Sequence, residues 1–357
     1  MAQAVDRPAP AVNRPALAVD RPAQAVDRLA PAYYDPVRVP PRVAAFASRP
    51  DTLAAGSPAK VGILDLAFAR VAGRTELVGR YQKSPLQLMR PLYIDPHLPE
   101  MAFVYVMSTG GGIAQADRYR TDVVCGADTQ VHVTTQAATK VYRMEHDYAT
   151  QRVHIDAGPG AFVEYLPGPL IPFRDARFYQ RTEITIAPGA TVIVGETLTA
   201  GRLARGERHA YRILTTDLEL RRPDGTLLAL DTLRLEPGRI GEASARDTAS
   251  GADGAGGPAG PAVMAGRDHV ASLFVVTDRR PAAEVADALH TALATHMHAY
   301  PADPDLTYGV SVLPHDCGAW VRMLADHPPR IVDAQRVAWD AVRRLLTGSP
   351  APNLRKS

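Results

Sequence analysis

Cysteine is almost missing from this chain: 357 residues include only Cys125 and Cys317. Two cysteines so widely spaced exclude a disulfide framework and a paired-cysteine zinc motif. Long apolar runs are missing too, since none approaches the roughly 18 residues that span a bilayer. The opening residues, Met1 to Pro8, hold no apolar core of a secretory signal. A cytoplasmic protein with no membrane partner is expected. A surplus of charge is the third absence: 40 Lys and Arg stand against 38 Asp and Glu, a net +2. Nucleic-acid binding needs a basic excess on one face, so no nucleic-acid partner is expected.

Catalytic signatures are also lacking. There is no Gly-x-Ser-x-Gly elbow and no His-Glu-x-x-His. Gly110-Gly-Gly-Ile-Ala-Gln-Ala-Asp117 looks at first like a phosphate loop. However, no lysine follows, and the next segment, Tyr119–Val124, alternates like a strand rather than opening a helix. Cys125 has no assigned basic partner in its β context. Imidazole and thiolate suit transition metals, but His296 and His298, two apart, do not share a helix face. His315 and Cys317 share one short loop, and Glu145-His-Asp147 reads as a surface turn. No catalytic residue, firm metal ligand or stably bound cofactor is assigned.

What is present begins with a seven-residue repeat, Ala4-Val-Asp-Arg-Pro-Ala-Pro10, echoed through Pro31. Its prolines break helices, and one small apolar pair per repeat cannot offset chain entropy. Residues 1–55 are therefore read as a disordered tail. From Lys60, period-two alternation recurs in short runs between Gly and Pro turns. These include Leu64–Phe68, Phe103–Met107, Val131–Val141, Ala161–Leu166, Phe178–Ile186 and Ala271–Val276. Residues 238–268, rich in Gly and Ala, read as a flexible insertion within a β-rich domain of residues 56–348, and residues 349–357 as a tail. Two helices come late. Pro281 opens one with Val285, Leu289 and Leu293 on a single face. The second runs from about Ile331 to Leu346, with Gly348 as its stop. Arg343 and Arg344 near its end are expected to be exposed. The fold class is mainly β, a many-stranded stacked body with two C-terminal α-helices.

If Val131–Val141 is one continuous strand, Val131, Val133, Thr135, Ala137, Thr139 and Val141 form an apolar face. His132, Thr134, Gln136, Ala138, Lys140 and Tyr142 then form a polar one. That polar face is either a solvated sheet surface or the lining of a passage. Pro167, Pro169 and Pro172 stiffen an extended segment ending in Phe173, a connection between strands or a ridge for a partner.

Thr134-Thr-Gln-Ala-Ala-Thr-Lys-Val-Tyr-Arg143, followed by Leu166-Pro-Gly-Pro-Leu-Ile-Pro-Phe173, resembles the urease accessory protein UreD, also called UreH. Supporting positions are Gly110, Gly111, Gly112 and Asp117 in the glycine turn, then Gln180, and Gly201, Arg202, Arg205, Gly206 and Glu207. The likeness covers roughly residues 60–347. It departs from the family at Ala116, where glycine usually precedes Asp117, and alanine disfavours positive φ. The resemblance implies a non-enzymatic scaffold that binds apo-urease with UreF and UreG, and admits a dimer within that complex. It further implies that nickel, handled transiently, is inserted into urease while UreG hydrolyses GTP. Thr134, Gln136 and Lys140 are candidates for a nickel path. Thr135, Tyr142, Arg143, Pro172 and Phe173 are candidates for partner or passage contact. A generic β-rich binding module and a β-fold hydrolase or isomerase are the alternatives.

Overall fold

The computed structural model describes residues 27–48, 60–237, 258, 260, 263–299 and 305–354. Two four-residue helices, α1 (Pro31–Tyr34) and α2 (Pro41–Ala44), precede the body. The body opens with a hairpin, β1 (Val61–Val71) and β2 (Arg74–Lys83), then β3 (Leu86–Gln87) and β4 (Ala102–Ser108). From there the chain alternates between two sheets. β5 (Arg118–Cys125), β8 (Ala149–Ala157) and β11 (Arg177–Ile186) enter one sheet. β6 (Gln130–Thr135), β9 (Phe162–Tyr165) and β12 (Thr191–Thr199) enter the other. Short strands β7 (Thr139–Val141) and β10 (Leu170–Pro172) pair at one side of the coil. Each turn thus lays one strand on each sheet, and the stacked turns run parallel.

A small hairpin, β13 (Gly201–Arg202) with β14 (Glu207–Arg208), precedes β15 (Ile213–Arg221) and β16 (Leu227–Leu235), which finish the first sheet. β17 (His269–Val276), β18 (Thr307–Val312) and β19 (Gly318–Ala325) finish the second. α3 (Ala282–His298) and α4 (Pro328–Thr347) cover its outer face. The main core lies between the sheets, with Leu64, Leu66, Phe68, Val123, Val131, Val133 and Val194 buried. A second core under the helices holds Val285, Leu289 and Leu293, the stripe expected for α3, with Leu273 and Ala338. Gly348 ends α4 in the left-handed region at φ 73° and donates to the Arg344 carbonyl, as its position in the sequence suggests.

Several sequence expectations need correction. The Thr-rich strand is broken: β6 stops at Thr135, and the chain turns before β7. Thr135 Oγ1 donates to the Ala137 carbonyl and accepts from Gly168 N–H, so a side chain competes with the ladder and bends the chain. Val131, Val133 and Val141 pack in the core as the alternation suggests, but the opposite side is neither solvated nor a passage at His132 and Thr134. β6 is sandwiched between the other sheet and the helices, so His132 and Thr134 are both fully buried.

Residues 27–48, read as part of a disordered tail, are docked; residues 1–26 and 49–55 lie outside the described residues. This arm crosses the outer face of the first sheet. Arg28 makes two hydrogen bonds to Asp65 on β1. Tyr33 donates to Asp122 on β5 and lies under the Arg120 guanidinium at 3.8 Å. Arg152 on β8 donates to the Asp35 carbonyl. Val43, fully buried, packs with Tyr179 and Ile213 on β11 and β15, and Arg42 pairs with Glu236 just past β16. A few anchors with specific partners order a segment whose own composition could not. At the other end of the chain, Ala351 N–H donates to Asp340 and Tyr105 to the Leu354 carbonyl, folding residues 349–354 back on α4. Of the insertion, Met264 is fully buried and Asp268 pairs with Arg208.

Arg343 is not exposed. It lies 0% accessible between α4 and the second sheet. Its Nη2 meets Asp95 at 2.5 Å, its Nε lies 3.2 Å from Glu164, and Nη1 donates to the Pro350 carbonyl. Glu164 also accepts from Trp339 and contacts His132 Nδ1 at 2.7 Å. A buried charge survives when it is paired and hydrogen-bonded, and here two carboxylates flank one guanidinium while the imidazole meets the second of them, Glu164. Arg344, one residue on, is exposed and pairs with Asp340.

Candidate functional site

The glycine turn is held by Asp117, whose carboxylate accepts from Lys60 N–H, Ala114 N–H and the Tyr119 hydroxyl. Three donors converging on one buried carboxylate fix the loop without any bound group. Ala116, in glycine's usual place, takes φ 59°, a left-handed conformation costing L-residues about 1–2 kcal/mol. Ala116→Gly should therefore stabilise the protein by about 1 kcal/mol, less the extra entropy of the unfolded chain. Denaturant melts check this, and a neutral or lower midpoint would show that the turn carries no strain.

This turn lies on the Thr-rich segment. Ile113 N–H donates to the Lys140 carbonyl, and Tyr142 N–H donates back to that of Ile113. A side chain at Gly112 would meet the Lys140 carbonyl at 2.7 Å, so only glycine fits. The contacts continue outward. The Tyr142 and Phe173 rings meet edge-on at 5.1 Å, and the Arg202 guanidinium covers Phe173 at 3.9 Å. Arg202 forms a fork with Glu207, which also accepts from Arg174 N–H. The Arg202 hydrogen bonds hold the Glu207 carboxyl below its usual range. Gly201, at φ 139°, has the Glu207 carbonyl where a Cβ would sit, and Gly206 ends the loop at φ 68°. Pro172 is buried, while Arg143 and Arg205 point to solvent. Segments scattered through the sequence thus form one strip at the side of the coil.

Behind the strip is a polar interior. Gln151, Gln180 and Thr216 occupy one register across β8, β11 and β15. Opposite them, Glu196, Ser272 and Arg322 share a register across β12, β17 and β19. Together with Thr139 and Tyr165 these residues line a cavity of about 40 Å³ between the sheets. That volume holds a few waters or a small ion, but no organic substrate. Gln180 donates to Glu196 at 2.9 Å, and Arg322 pairs with Asp231 at 2.5 Å. Burial, reinforced by the charge of Asp231, pushes the Glu196 carboxyl up to about 7. A second cavity of about 220 Å³ shares Thr139, Gln151 and Tyr165 with the first and reaches Gln136 and Lys140. An outer groove of about 390 Å³ lies across the turn of Gln136 to Ala138, against α4.

Of the three nickel-path candidates, Gln136 and Lys140 line the second cavity. Thr134 does not: it faces the helices, and its hydroxyl donates to the Leu166 carbonyl. Gln180 lies at the heart of the first cavity. The sequence reading missed Gln151, Glu196, Thr216, Asp231 and Arg322. A polar residue at an inward position of an otherwise apolar strand was the available signal. Among the described residues no cluster of three or more His, Cys, Asp or Glu could hold a metal ion. His296, His298, His315 and Cys317 gather no such set. No helix described is long and apolar enough to cross a membrane.

A two-layer β-coil capped by helices, with a polar seam inside and a strip of loops at its side, defines a β-solenoid-like protein. Residues 60–357 match the family described as UreD urease accessory protein. The chain is 67% identical to urease accessory protein UreD 2 of Streptomyces griseus over 314 residues, 88% of this chain and 100% of that protein. Urease accessory protein UreD of Haloarcula marismortui is 34% identical over 303 residues, covering 85% and 93% of the two chains. UreD 3 of Methylorubrum populi is 33% identical over 309 residues, covering 86% and 92%. The chain belongs to the UreD family of urease accessory proteins. The matched family region begins at residue 60, so the docked arm lies outside it.

Proposed function

We propose that the protein is a cytoplasmic, non-enzymatic urease maturation factor that binds apo-urease together with UreF and UreG and assists nickel insertion. In this reading nickel is cargo, not a resident cofactor, and it passes between the two sheets. The observation that carries the reading is the seam of Gln151, Gln180 and Thr216 facing Glu196. Amide, hydroxyl and carboxylate oxygens hold a divalent cation loosely, whereas thiolates would trap it. Both cysteines are buried away from this lining. Glu196 titrates near neutrality, so an arriving dication displaces a proton and a departing one is replaced by it.

The test is co-expression of the urease structural and accessory proteins with the chain absent, wild type, or changed at Glu196→Gln. Without the chain, purified urease should lack nickel and activity. Glu196→Gln keeps the side-chain shape, so assembly should persist while nickel loading slows about tenfold, one charge-assisted contact of about 1.5 kcal/mol. Normal nickel content in the absence of the chain would end the maturation reading. Normal loading with Glu196→Gln would end the internal route alone.

A further inference from the structure

The first sheet has β2 and β16 as its edges, and the second has β3 and β18. An edge strand offers unpaired N–H and C=O groups, which proteins blunt with charge, proline, bulges or short length. β2 carries Arg74, Glu76, Arg80 and Lys83, and its ladder with β1 is bulged. β16 carries Asp231 and Arg234, and its ladder also shifts register. β3 is two residues long. β18 uses none of these devices. Its sequence, Thr-Tyr-Gly-Val-Ser-Val, has no charge and no proline, and it pairs with β19 without a break. Val312 is 38% exposed, and a side chain at Gly309 would meet nothing within 4 Å. Among the described residues no strand lies on its outer side.

Alongside β18 runs an open groove of about 810 Å³ whose other wall is α3. α3 presents Ala286, Asp287, His290, Ala294, Met297 and His298 to it, two of them small and one an acid.

We propose that β18 is a self-association edge, pairing antiparallel with β18 of a second copy about a two-fold axis. Such pairing makes each strand its own complement. A charged edge would meet its own charge, and β18 has none. The helix layer fits the same arrangement. α3 packs on both β18 and β19, which places its axis about one strand spacing, ~4.8 Å, from the junction. Two copies of α3 then lie about 10 Å apart, the normal distance for packed helices. Ala286 and Ala294 allow that approach, so the groove beside each β18 is filled by the partner's α3. The inference depends on the edge and its helix alone, and stands whether or not nickel passes through the seam.

Sedimentation of the purified full-length chain across the micromolar range tests it. The expected result is a concentration-dependent dimer. Ser311→Lys sets like charges near each other at the junction and should weaken the dimer about a hundredfold. Because Ser311 is exposed, its melting temperature should stay that of the wild type. Mixing Ser311→Lys with Ser311→Glu should restore a mixed dimer. A wild type that stays monomeric, or a lysine variant that dimerises and melts like the wild type, overturns the proposal. A lysine variant that fails to fold leaves the decision to the wild-type measurement and to the glutamate variant alone, whose self-repulsion should equally abolish the dimer.

Discussion

Arg343→Ala should cost about 3–5 kcal/mol of stability, the usual penalty for leaving buried charges without their partner. Asp95 and Glu164 would both lose the cation that offsets their burial. Arg343→Lys should rescue little. Three groups of one guanidinium meet Asp95, Glu164 and the Pro350 carbonyl, and a single ammonium cannot span them. Arg344→Ala is the control. That exposed i,i+4 pair with Asp340 contributes about 0.3–0.5 kcal/mol. Urea unfolding of the three variants separates the cases. A loss at Arg343 no larger than at Arg344 would mean that the buried cluster adds nothing.

Deleting residues 1–48 should destabilise the body by about 3 kcal/mol. Full burial of Val43 accounts for about 1.5–3 kcal/mol. The half-exposed ion pairs of Arg28 and Arg42 add less than their geometry suggests, because solvent screens them. The deletion also uncovers Tyr179 and Ile213. Deleting residues 1–26 alone should leave the melting midpoint unchanged, since the proline-interrupted repeat can bury little. If both truncations melt together at the wild-type midpoint, the arm rests on the sheet without stabilising it.

The strands and the two long helices were legible because their signals are local. Alternation placed Phe178–Ile186 and Ala271–Val276, and Pro281 and Gly348 marked helix ends that the chain respects. What failed depends on partners remote in sequence. His132 reads as solvent-facing by alternation, yet it is buried because Glu164 and the rings of Phe103 and Trp339 surround it. Tyr33 and Val43 sit in a stretch too sparse to order itself, and their sites are on strands far along the chain. For the side strip, the family resemblance supplied the residues and geometry supplied their contiguity. Residues from Gly112 to Glu207 touch in a chain that spacing could not reveal. The three passage candidates part company for a local reason: the Thr135 hydroxyl bends the chain, so Gln136 and Lys140 leave the side on which Thr134 faces the helices.

The arm's contacts also lie in temporal order. Arg28 and Asp65 are 37 positions apart, Tyr33 and Asp122 89, Asp35 and Arg152 117, and Arg42 and Glu236 194. On a ribosome adding about 5–20 residues per second, each later anchor waits for a later strand, and Arg42 waits about 10–40 s for its partner. The arm, made before the sheet, thus closes like a zip, one strand at a time, in step with the sheet growing beneath it. Val43 and Phe46 meet Tyr179 and Arg177 on β11 first, and their cluster is complete only when Ile213 on β15 has been made.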